Sequence, residues 1–117
     1  KRNKMESKIE KVLKQSFPDF FAQENLQDLN FATYQILKIV FEQSVKQIEE
    51  NNTERLKEIF EIVDNLYQFG SLYDKNAIEN EYLLALSTIE NPISFGKHLK
   101  LMPKTLKGVF LKSIIEN

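Results

Sequence analysis

Apolar residues recur along this chain at helical spacing, and no segment shows the sustained alternation of a half-buried strand. Ile9, Val12 and Leu13, with Met5 ahead of them, form a narrow stripe on an otherwise charged opening segment. Ser7 and Glu10 have the spacing of a capping box at the start of a first helix, which is expected to end near Phe17 and Pro18. After the run PDFFAQENLQD, Asn30 is placed to cap a second helix reaching about Glu50. Phe31, Tyr34, Leu37, Phe41, Val45 and Ile48 make its main stripe, while Ile36, Ile39 and Val40 lie around the other side. A helix apolar around most of its girth is normally central.

ENNTE breaks that pattern, and Asn52 or Thr53 can accept the unpaired amides of a third helix. Leu56, Ile59, Phe60, Val63, Leu66 and Tyr67 mark its core face. Phe69 and Gly70 close it, with the glycine suited to a left-handed cap. SLYDKN reads as a short connection to a helix from about Asn76 to Glu90, which Asn91-Pro92 should stop. FGKHLKLM is expected to make one or two turns. Pro103 suits the first position of a last helix with Leu106, Val109, Phe110 and Ile114 inward. The expected fold is all-α, with five long helices plus one or two short ones. They would form a layered helical bundle or a short HEAT-like α-α arrangement, within a single domain over residues 1–117.

One run, IENEYLLALSTIEN over residues 78–91, has more leucine than a helix face needs. Ile78, Tyr82, Ala85, Leu86 and Ile89 share one stripe, whereas Leu83 and Leu84 point elsewhere. Packing on more than one side, in a layered stack or at the centre of a bundle, would explain the surplus.

Composition narrows the chemistry. At 117 residues, with 42% hydrophobic and 28% charged, the chain matches one folded domain rather than a disordered segment. The absence of cysteine removes disulfides, thiolate nucleophiles and cysteine-based zinc sites. No apolar run approaches the roughly 18 residues of a membrane span, and KRNKMESK is not followed by a signal-type core. A soluble, cytoplasmic chain without membrane contact is the expectation. The first methionine is Met5, so these residues do not fix the natural start.

The formal net charge of −1 conceals an uneven distribution. Residues 1–40 carry seven Lys/Arg and five Asp/Glu, residues 41–90 four and eleven, and residues 91–117 five and one, which makes +2, −7 and +4. An acidic middle repels phosphates and argues against nucleic acid as a partner; a protein with a basic surface would be attracted. On the third helix Glu54, Glu58 and Glu61 stand at i, i+4 and i+7, opposite the Leu56/Phe60/Val63 stripe, with Asn65 extending the face. Like charges at that spacing cost an isolated helix a few tenths of a kcal/mol per pair. The face is therefore either solvated, with Arg55 and Lys57 offsetting part of the repulsion, or an acidic docking surface. Lys97, Lys100, Lys104, Lys107 and Lys112 read as solubilising residues, some paired with the acidic middle.

Enzymatic signatures are missing. Gly70, Gly96 and Gly108 stand alone, without a phosphate-binding loop. His98 has no second His or Cys to complete a metal site and reads as a surface residue of the basic segment. Serine-nucleophile motifs are absent. A carboxylate-only site is the one catalytic option left, and no cofactor or metal is implied. Phe17, Phe20 and Phe21 either plug the end of the core or form an exposed partner-binding patch.

The pattern Ile-x-x-x-Tyr-Leu-x-Ala-Leu-x-x-Ile over residues 78–89 resembles the second helix of a HEAT-type repeat, and with the helix from Thr53 to Phe69 it spans about the length of one such unit. Tyr82 and Ser87 replace the usual small residues. The chain also resembles a group of small bacterial helical proteins in which x-P-K-T-x-x, here Met102 to Lys107, starts the last helix. Together these features lead to the expectation of a non-enzymatic protein-binding module, immunity-like in size and charge. It would hold a basic partner through Glu54, Glu58, Glu61 and Asn65. The alternative is a structural homo-oligomer burying Leu83, Leu84, Ile36, Ile39 or Val40 against a second copy. An enzyme with a carboxylate-only site is the third option.

Overall fold

A computed structural model of the protein describes residues 7–22, 32–89 and 92–116. The expected contributions of Met5, Asn30, Phe31 and Asn91 lie outside them. Among the described residues there are helices and no strands, as the apolar spacing requires.

Helix α1, Lys8–Ser16, starts with the expected capping box, in which the Ser7 hydroxyl accepts from the Glu10 amide and the Glu10 carboxylate accepts from the Ser7 amide. A 3-10 turn, Pro18–Phe21, follows, with proline at its start. Helix α2, Ala32–Glu49, ends in a Schellman motif. Asn51 has φ 57°, its amide donates to the Ile48 carbonyl at 3.1 Å, and the Asn52 amide donates to the Gln47 carbonyl at 2.9 Å. The Asn52 side chain then accepts from the Arg55 amide and caps α3, Thr53–Gln68. Two asparagines thus close one helix and open the next.

The following helix, α4, begins earlier than the sequence suggests. Ser71 and Asp74 form a second capping box, and SLYDKN is helical from its second residue. This helix enters as Leu72–Ala77, widens into a π-helical segment over Ile78–Leu83, and resumes α geometry over Leu84–Ile89. The Leu84 amide reaches back five residues to the Glu79 carbonyl. Widening the turn rotates Leu83 inward beside Ile78 and Tyr82, and all three are fully buried. Leu84 stays half-buried. The surplus leucine therefore has a structural use, although Ile89, expected on the stripe, is exposed.

Helix α5, Pro92–Leu99, and helix α6, Lys104–Glu116, complete the chain. Pro103 sits one residue ahead of α6, its carbonyl accepting from the Lys107 amide. Leu106 and Phe110 point inward as expected, whereas Ile114 is exposed.

Helix α2 is central, packing on α1, α3 and the π segment of α4. Its deepest face is not the expected stripe. Thr33, Ile36, Leu37, Val40, Ser44 and Gln47 are buried, while Tyr34, Phe41, Val45 and Ile48 flank them half-exposed. The face can turn this way because its hydroxyl-bearing members, Thr33 and Ser44, have partners. The Thr33 hydroxyl donates to the Glu10 carboxylate at 2.9 Å, and Ser44 lies 2.7 Å from the Tyr82 hydroxyl while donating to the Val40 carbonyl. Ile36, Ile39, Val40 and Leu83 are interior, so the homo-oligomer expectation loses most of the surface it was built on.

Gly70 is not left-handed, since no glycine among the described residues has positive φ. It is required for a different reason. A Cβ there would lie 2.7 Å from the Leu66 carbonyl oxygen and 2.8 Å from the Asp74 Cβ, so only glycine lets α3 and α4 meet this closely.

Candidate functional site

Helix α3 divides cleanly. Its inner side buries Leu56, Ile59, Phe60, Val63 and Leu66; Glu54, Glu58, Glu61 and Asn65 are all exposed on the opposite side. The glutamates border a shallow groove of about 400 Å³ that also takes in Asn52, Arg55 and Lys57. All four residues expected to form a docking face are thus placed together, outward, on one rigid helix.

The cations expected to offset those carboxylates do so only in part. One guanidinium nitrogen of Arg55 donates to both Asp19 oxygens at 2.9 and 3.1 Å, while its Nε lies 3.9 Å from Glu58. The same guanidinium covers the rings of Phe17 and Phe20, 5.2 and 5.0 Å from their centroids. Arg55 is therefore committed to fastening the 3-10 turn to α3. Among the described residues, no cation pairs with Glu54 or Glu61 within 4.0 Å. The C-terminal lysines do not supply one. Lys97, Lys100, Lys104 and Lys112 are exposed, and the expected pairing with the acidic middle is not seen among the described residues.

Phe17 and Phe20 are buried and stacked with centroids 4.8 Å apart, and Phe21 meets Phe20 edge-on, so this cluster plugs the end of the core. His98 is buried rather than on the surface, because the segment folds as a helix that turns residue 98 inward while Gly96, Lys97 and Lys100 remain outside. Among the described residues there is no group of three or more His, Asp or Glu arranged to hold a metal ion.

Two features were not foreseen. Asp64 is buried on α3, accepting from the Leu106 amide at 2.9 Å and from the Gln68 side chain at 2.7 Å. Pro103 has no side-chain oxygen to cap α6, so a carboxylate from α3 caps it instead. The spacing between residues 64 and 106 hides this from any local reading. The second feature is the α3–α4 corner, where Phe69, Leu72 and Tyr73 are 67%, 75% and 54% exposed. Tyr73 stacks on Tyr34 at 6.0 Å, and the Lys8 ammonium lies 5.9 Å from the Phe69 ring centre. Beside the corner, Lys75 covers the Tyr67 ring and the Tyr67 hydroxyl donates to the Glu79 carboxylate. Burial, aided by that hydrogen bond and the Glu79 charge, pushes the Tyr67 pKa up to about 12. The Tyr73 pKa is also raised, first by burial and then by Tyr34.

No helix among the described residues is long and apolar enough to cross a membrane. Comparison with known proteins gives one result: residues 10–116 match the family described as Domain of unknown function (DUF7674), and the chain belongs to that family. No curated protein and no solved structure matches it.

Proposed function

For this member of the family, we propose a non-enzymatic protein-binding role, in which the outer face of α3 docks a partner with a basic surface. The observation that carries the proposal is the grouping of Glu54, Glu58, Glu61 and Asn65, all exposed on one face of a helix whose other face is locked into the core. Three like charges at helical spacing weaken an isolated helix by a few tenths of a kcal/mol per pair. The nearest cation, Arg55, is held largely by Asp19. Such a face steers a basic protein into encounter and rejects acidic ones.

An immunity-like role, in which the chain neutralises a basic toxin of bacterial origin, is the concrete form of this proposal, by analogy of size and charge. The resemblance of α3 and α4 to a HEAT-type helix pair belongs to the same proposal. Their packing across the tight Gly70 corner supports it.

The test is recovery of bound proteins on the immobilised chain, with the Glu54→Lys/Glu58→Lys/Glu61→Lys variant alongside. A basic protein retained by the wild type and lost by the folded variant is the expected result. Retention of the same proteins by both would reject the acidic face as the docking site.

A further inference from the structure

The exposed side of α3 does not end at Asn65. At helical spacing, Glu54, Glu58, Glu61, Asn65 and Phe69 form one ridge about 22 Å long, and the ridge runs into the Phe69/Leu72/Tyr73 corner. Its character changes along the way. The first part is anionic, Asn65 and Gln68 are neutral, and the corner is apolar, with Lys8 and Lys75 beside it.

The corner is also preorganised. Gly70 brings the two helices too close for any Cβ at that position, and the Ser71–Asp74 capping box fixes the start of α4. Tyr73 rests on Tyr34, and Phe69 lies beneath Lys8. Large apolar groups held rigidly in water lose little conformational entropy on burial, which is what an anchoring site requires.

Resting on the docking role proposed above, we infer that the corner is the apolar anchor of that same surface. Its occupant is a polypeptide segment of a partner protein that is basic at one end and apolar at the other. The basic end lies against Glu54, Glu58 and Glu61. The apolar end, which carries no cation because Lys8 and Lys75 would repel one, covers Phe69, Leu72 and Tyr73. The division of labour follows from the chemistry: exposed carboxylates raise the association rate in a salt-dependent way, and apolar burial slows dissociation.

A random peptide library displayed on phage, selected against the immobilised full chain, tests this. Each enriched peptide is then synthesised and measured against three folded proteins: wild type, Phe69→Ser/Leu72→Ser, and Glu54→Gln/Glu58→Gln/Glu61→Gln. Expected are peptides with a Lys/Arg cluster separated from an aromatic or aliphatic anchor. The corner variant should weaken them at least tenfold, mainly through faster dissociation, and the glutamine variant mainly through slower association. Basic peptides that ignore the corner variant would overturn the anchor and leave the acidic-face role standing. Apolar peptides that ignore the glutamine variant would overturn the acidic-face role, and with it this inference. Sedimentation of the chain alone adds one more outcome: a dimer abolished by Phe69→Ser/Leu72→Ser would assign the corner to a second copy and overturn the proposal.

Discussion

At the N-terminal end of α3, Phe17 and Phe20 lie buried beneath Arg55, whereas at the C-terminal end Phe69, Leu72 and Tyr73 are exposed, with Lys8 above the Phe69 ring. Both regions combine aromatic residues with a cation, and both adjoin a helix boundary. They differ in what the cation is tied to. Arg55 is anchored by Asp19, so its guanidinium closes a lid over the rings; the Lys8 ammonium lies over Phe69 with no carboxylate paired to it among the described residues. Composition alone therefore does not separate core from surface. Packing does: the Phe17 and Phe20 rings belong to the buried core cluster, and the Phe69 ring does not.

The comparison breaks most easily at the rings themselves. Phe17→Ala should cost about 3–5 kcal/mol, because it opens a cavity in a closed cluster, whereas Phe69→Ala should cost under about 1 kcal/mol. Urea denaturation of both variants measures this, and equal losses would erase the distinction. Next in size is Asp64→Ala, which leaves the buried Leu106 amide without its acceptor. A loss of about 2 kcal/mol is expected, with faster amide exchange in the first turn of α6, while Asp64→Asn should recover part of it.

Smaller again is Gly70→Ala, with an expected loss of about 1–2 kcal/mol as the corner opens. The same change should alter the near-ultraviolet signal of the tyrosines at the corner without disturbing the Phe17 cluster. The smallest effect concerns Tyr67. Its proton is held more tightly in the folded state than the ordinary value of 10, so its contribution is fully present below pH 10 and fades as pH rises toward 12. Tyr67→Phe should therefore flatten the fall in stability between pH 10 and 12, measured by thermal unfolding across that range.

These contrasts also explain how much the chain revealed beforehand. The capping boxes and the Asn52 cap are local hydrogen bonds between residues three apart, so the start of α1 is legible from Ser7 and Glu10, and that of α3 as either Asn52 or Thr53. The Ser71–Asp74 box has the same spacing, but it lies inside SLYDKN, whose composition reads as a connection, so the helix starts several residues before the expected Asn76. The deep face of α2 was hidden because Thr33 and Ser44 look like surface residues until Glu10 and Tyr82 supply partners from other helices. Asp64 carries no local sign of its role, and His98 reads as a surface residue, for a related reason: burial of a polar side chain depends on what packs against it, and that lies many residues away. The acidic face needed no such information. Helical spacing alone places Glu54, Glu58, Glu61 and Asn65 together, although it is silent on the apolar corner that continues their ridge.

The most direct measurement sets folding against binding for one variant. Glu54→Gln/Glu58→Gln/Glu61→Gln removes the repulsion on α3, so urea denaturation should show stability unchanged or higher by a few tenths of a kcal/mol. Affinity for a recovered basic partner, titrated over a range of salt concentrations, should fall at least tenfold with a shallower salt dependence. A variant that binds as tightly as the wild type, with the same dependence on salt, would contradict the assignment of this face to partner recognition.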